Sequence, residues 1–77
     1  MIEAYVLIQT MIGKLESAAS EASRLGGVAA AAVIAGPYDL IVRVAADDVD
    51  SLGRLVVARI QVIDGVTRTM TCPILHL

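Results

Sequence analysis

Few side chains in this sequence could carry chemistry, and their spacing limits what each can do. Cys72 is the only thiol and His76 the only imidazole. On a strand, residues four apart share a face but stand about 13 Å from one another. At that distance a base cannot take a thiol proton, so no catalytic dyad forms within one chain. The paired CxxC that a soft metal needs is missing as well. Cys72 reads as an inert, half-buried strand residue and His76 as a partly exposed one near the C-terminus. The acidic run Asp47-Asp48-Val49-Asp50 lacks the alternating oxygen ligands of a calcium loop and reads as a helix cap with its solvated turn. The expectation is no catalytic residue, no metal and no cofactor.

Two segments keep polar groups that these exclusions do not absorb. Gly36-Pro37-Tyr38-Asp39-Leu40 is a turn ending in an aspartate; its proline presets φ and its glycine frees the backbone. Asp64-Gly65-Val66-Thr67-Arg68-Thr69-Met70-Thr71 is a second turn running into alternating threonines. Taken singly, each is an ordinary tight turn or an edge strand rich in β-branched residues.

The elements that position these segments follow from periodicity. Ile2 to Gln9 alternates Ala4, Val6 and Ile8 against Tyr5 and Leu7, so a strand apolar on both faces is expected. Lys14 to Leu25 places Leu15, Ala18, Ala19, Ala22 and Leu25 at helical spacing, and Gly26-Gly27 ends the helix. Val28 to Ala35 reads as a second strand and Leu40 to Ala46 as a third, joined as a hairpin by the Asp39 turn. Asp47 or Asp48 caps a second helix with Asp50 in its first turn, and Val49, Leu52, Leu55, Val56 and Ile60 form its buried stripe. Val66 to Leu75 is the last strand, with Thr67, Thr69 and Thr71 on one face and Val66, Arg68, Met70 and Cys72 on the other. Pro73 removes a ladder donor, which predicts an edge position for that strand.

The order β-α-β-β-α-β with right-handed crossovers gives an α+β, ferredoxin-like sandwich: four antiparallel strands with two helices on one face. The opposite face, carrying Tyr5, Leu7 and Ile41, has nothing in the chain to cover it. Composition agrees, since 57% of the 77 residues are apolar against roughly 45–50% in an ordinary soluble domain. No apolar run reaches the ~18–20 residues of a membrane span, so the surplus points to pairing of open sheets between subunits. A net charge of −2, with Lys14, Arg24, Arg43, Arg54, Arg59 and Arg68 scattered, argues against direct nucleic-acid binding. Only Tyr5 and Tyr38 could stack on bases. A lone cysteine and the lack of a signal peptide suggest the cytoplasm.

The two leftover segments, in this order and spacing, resemble the effector-binding domain of the Lrp/AsnC (feast/famine) transcription regulators. That domain carries a G-x-[YF]-D-[LI] turn before its third strand and a G-V-x-x-[ST]-x-T segment in its fourth. The resemblance covers essentially residues 1–77 as one ligand-binding domain, with no helix-turn-helix domain ahead of it. It implies dimers paired through their sheets as in dimeric α/β barrels, rings of dimers (often octamers), an amino-acid effector between dimers, and co-assembly with full-length regulators. Carried onto this chain, the implied ligand-binding residues are Gly36, Tyr38, Asp39, Leu40, Thr69 and Thr71. Asp39 would accept the ammonium, main-chain N–H groups near Gly36 and Tyr38 would hold the carboxylate, and the threonine hydroxyls of a neighbouring subunit would complete the shell. The alanines of the second strand replace bulkier residues common in the family, which bears on pocket and ring size. Two rival readings remain beside this one: a small enzyme of the dimeric α/β-barrel type, and a purely structural oligomerisation domain.

Overall fold

The computed structural model describes residues 1–77. β1 (Ile2–Thr10) leads into α1 (Leu15–Ser23), then β2 (Val28–Val33) and β3 (Leu40–Ala46). α2 (Val49–Arg54) passes directly into a π-helical turn, Leu55–Ile60, and β4 (Val66–Pro73) closes the chain. The strands form one antiparallel sheet in the order β2-β3-β1-β4, the expected ferredoxin-like arrangement. β4 lies on an edge, where Pro73 costs no ladder bond to an outer neighbour.

Alternation decides the two faces. Ala4, Val6 and Ile8 of β1 and Leu40, Val42 and Val44 of β3 are wholly buried, and they meet Ala18, Ala22, Leu52, Val56 and Ile60 from the helices. The small Ala18 and Ala22 let α1 lie close to the sheet. On the reverse face Tyr5 pairs with Arg43 and Cys72, and Leu7 with Ile41 and Met70. Tyr5 and Met70 are exposed there, so an apolar sheet face stands open as the composition foretold.

Several details depart from the sequence reading. Val49, assigned to the buried stripe of α2, is 68% exposed, because it occupies the first helical position, just past its Asp48 cap and beyond the sheet's reach. Below α2 the winding loosens: Gln61 N–H donates to Val56 C=O at 2.8 Å, a five-residue step that defines the π form. β2 ends at Val33 and β4 at Pro73, each two residues short, and His76 lies beyond the last strand. Cys72 is exposed rather than half-buried, since the open sheet face lacks a covering layer.

Both edge strands carry a bulge. On β2 the register steps from Val28↔Val44 to Ala30↔Arg43, leaving Ala29 extra. On β4 it steps from Thr10↔Val66 to Gln9↔Arg68, leaving Thr67 extra. This second bulge moves Val66 off the face it was expected to share with Arg68 and Met70. It packs against the core instead.

Candidate ligand site at the polar end of the sheet

The last residues of β1 organise the polar groups at one end of the sheet. On one side, main-chain bonds tie down the turn between β2 and β3: Asp39 N–H donates to Ile8 C=O at 3.0 Å, and Ile34 N–H to Asp39 C=O at 2.9 Å. Side chains finish the anchoring. The Asp39 carboxylate accepts from Thr10 N–H at 2.9 Å and from the Thr10 hydroxyl at 3.4 Å, both on Oδ2. The Gln9 amide donates to Pro37 C=O at 3.2 Å. Gly36 has φ +141°, a conformation essentially closed to residues with a Cβ, so the turn depends on glycine at that point. The N–H groups of Gly36 and Tyr38 donate to nothing within the chain, leaving two main-chain donors in the same loop as the anchored carboxylate.

On the other side, β4 brings Thr69 opposite Ile8 and Thr71 opposite Val6. Cross-strand partners share a face, so both threonines point toward the helix layer, half-buried at its margin. Thr67, the bulge residue, donates its hydroxyl to Gln9 C=O at 3.1 Å. Gln61, just past the π turn, donates its amide to the Thr69 hydroxyl at 3.0 Å. Gln61, Val66, Thr67, Arg68 and Thr69 line an open recess of about 300 Å³. Beneath it, Met11 N–H bonds to Gly65 C=O at 2.8 Å, and Lys14 pairs with Asp64 at 2.9 Å. That hydrogen bond and charge raise the Lys14 pKa, holding the ammonium charged.

Of the six residues implied by the motifs, Gly36, Tyr38 and Asp39 share one loop, and Thr69 and Thr71 share one strand. β1 separates the two groups, so in a single protomer they stand about two strand spacings, roughly 10 Å, apart. Leu40 differs: its side chain is wholly buried in the core, so only its main chain could reach a ligand. Thr10, Gln9 and Gln61 are the residues that sequence reading missed. Thr10 carries a faint signal, a hydroxyl ending an apolar strand, but its partner lies 29 positions away.

A second recess, about 250 Å³, lies on the open sheet face between Tyr5, Ala30, Ala31, Ala32, Ile41 and Arg43. Ala30 and Ala32 share this face with Arg43 and Ile41, and its one cation, Arg43, is engaged by Glu3 at 2.9 Å, which also raises the Arg43 pKa. No three His, Cys, Asp or Glu side chains cluster as a metal site would need. No helix is long and apolar enough to cross a membrane.

Fold and site together describe a ferredoxin-like α+β domain with an open sheet face and its polar groups gathered at one sheet end. The family model for the Lrp/AsnC ligand-binding domain matches residues 3–76, and the chain belongs to that family. Among solved structures, TTHA0845 from Thermus thermophilus is 32% identical, with all of this chain and 96% of that one covered at a TM-score of 0.94. AsnC of E. coli superposes at a TM-score of 0.91 over 99% of this chain and 52% of its own, at 23% identity. The transcriptional regulator NMB0573 from Neisseria meningitidis, solved as a complex with L-Met, gives 0.88 over 97% and 50%, at 13% identity. At those last two identities the likeness is one of fold. A search among curated proteins gave no match.

Proposed function

We propose that this domain is an oligomeric regulatory module that binds a free amino acid between subunits and works without catalysis. The observation that carries this reading is the pairing, at one sheet end, of an anchored carboxylate with unpaired N–H donors. A zwitterion needs an acceptor for its ammonium and donors for its carboxylate. Thr10 holds Asp39 by Oδ2, which leaves Oδ1 for the ammonium. The N–H groups of Gly36 and Tyr38 suit the carboxylate. Thr69 and Thr71 of a neighbouring subunit would close the shell, because within one protomer β1 keeps them apart from the loop. The Neisseria meningitidis regulator of the same fold was solved with L-Met bound, a ligand of this chemical class.

The open face bearing Tyr5, Leu7, Ile41 and Met70 supplies the dimer contact, and further contacts at the sheet end build a ring, with eight subunits as the expected size. A ligand at a subunit interface shifts assembly by its difference in affinity between states. Such a shift would regulate full-length Lrp/AsnC regulators that co-assemble with this chain. The test is thermal melting of dialysed protein with each of the twenty amino acids at millimolar concentration. One or a few should raise Tm, and Asp39→Asn should abolish the gain. No shift with any of them would sink the reading.

A further inference from the structure

The Gln61–Thr69 contact is used by neither the fold nor the ligand scheme above. A threonine hydroxyl both donates and accepts, and it rotates to suit its surroundings. Here the Gln61 amide donates into the oxygen at 3.0 Å, and the hydroxyl makes no other hydrogen bond within the chain. One lone pair is thus occupied and the proton is free to point away from Gln61, into the recess of about 300 Å³ that both residues line. The π turn is what brings Gln61 there: its five-residue bond, Gln61 N–H to Val56 C=O at 2.8 Å, sets the backbone that carries the amide. Gln61 itself is exposed and holds no part of the core.

We infer that Gln61 is a positioning residue that turns the Thr69 hydroxyl proton into the recess, toward the ligand's carboxylate. This rests on the amino-acid reading and sharpens it, because it fixes which ligand end Thr69 meets. A hydroxyl proton already aimed at the ligand favours a carboxylate, which can only accept. It gains less from a carboxamide, which offers weaker acceptance and competing N–H groups. Gln61 therefore selects free amino acids over their α-amides without touching the ligand.

The experiment takes the amino acid giving the largest Tm gain with the whole protein and measures its affinity, and that of its α-carboxamide, by calorimetry. Gln61→Leu should weaken the amino acid about threefold, the scale of losing one preset hydroxyl orientation among three staggered ones. The same change should narrow the preference over the carboxamide. Gln61→Glu should weaken the amino acid at least as much, since a carboxylate accepts the Thr69 proton and takes it from the ligand. In a Thr69→Val background, Gln61→Leu should have no further effect, the coupling expected of a residue that acts through another. Circular dichroism and oligomeric mass should stay unchanged in all variants. The inference is overturned if Gln61→Leu or Gln61→Glu binds as the parent does. It is overturned equally if Gln61→Leu costs as much with Thr69→Val as without it. If the parent protein responds to no amino acid, the inference and the proposed function fall together; the other two outcomes remove only the role of Gln61.

Discussion

Asp39 carries two roles that one pair of substitutions can separate. Its Oδ2 accepts the part-buried Thr10 N–H at 2.9 Å, a well-formed bond, and the Thr10 hydroxyl at 3.4 Å, too long to add much. Asp39→Ala leaves the N–H of a central strand's last residue without its acceptor. Hydrogen bonds to charged groups contribute about 1.5–3 kcal/mol, and because Asp39 is half-exposed the lower end applies, about 1.5–2 kcal/mol. For a domain of this size that lowers Tm by roughly 10 °C. Asp39→Asn keeps an oxygen in the same place and should cost below about 1 kcal/mol, yet it removes the charge that an ammonium needs. The assay is thermal and urea unfolding at one fixed protein concentration, since assembly makes stability concentration-dependent, repeated with and without the amino acid that stabilises the parent. Alanine should then lose both stability and ligand response, and asparagine the response alone. An alanine variant melting with the parent would refute the anchoring role. An asparagine variant that keeps its ligand-induced gain would refute the ammonium assignment.

Other perturbations bear on the neighbouring parts. Gly36→Ala forces a Cβ onto φ +141° even though open space surrounds the position. It should destabilise by about 1–3 kcal/mol, measurable by urea unfolding. Leu7→Lys places a charge in the middle of the open sheet face, where Leu7 pairs with Ile41 and Met70; light scattering should show a lower oligomeric mass with far-ultraviolet circular dichroism retained. Asp48 caps α2 by accepting from Ser51 N–H at 2.8 Å. That main-chain bond, followed by the Ser51 side chain, holds its pKa below the ordinary 3.8. Since the folded value is depressed, the cap's stabilisation is present above pH 3.8 and is lost as pH falls through the folded value. Asp48→Ala should therefore lower Tm at neutral pH, with the difference from the parent vanishing in strong acid.

Much of this architecture was legible because β1 and β3 announce their faces twice over. Ala4/Val6/Ile8 and Leu40/Val42/Val44 are apolar where the helices lie, while Arg43 and Tyr5 mark the side they leave open. Pro73 located the edge strand for a simple reason, the missing N–H. The π turn was hidden, since Leu52, Val56 and Ile60 at intervals of four fit a buried stripe with either winding. The bulge at Ala29 was hidden by its own alanine run, whose identical side chains give no contrast between faces. For the site, the loop of Gly36, Tyr38 and Asp39 could be read locally. Its attachment to Thr10 and the grip of Gln61 on Thr69 could not, because both are made by register between distant strands and helices.

The extra residues of this chain sit in three places: Ala29 on β2, Thr67 on β4, and the π turn after α2. None falls in β1 or β3, the two strands with neighbours on both sides. Length is thus a free variable only at the periphery. Removing one residue from an edge bulge or from the π turn leaves a regular strand or an ordinary α-helix and spares the centre. Removing one from β1 would turn every side chain beyond the gap to the opposite face, exchanging Val6 and Ile8 for Tyr5 and Leu7 in the core. Insertions and deletions among chains of this fold should therefore collect at the rim, where they re-aim a threonine or a glutamine without disturbing the sheet.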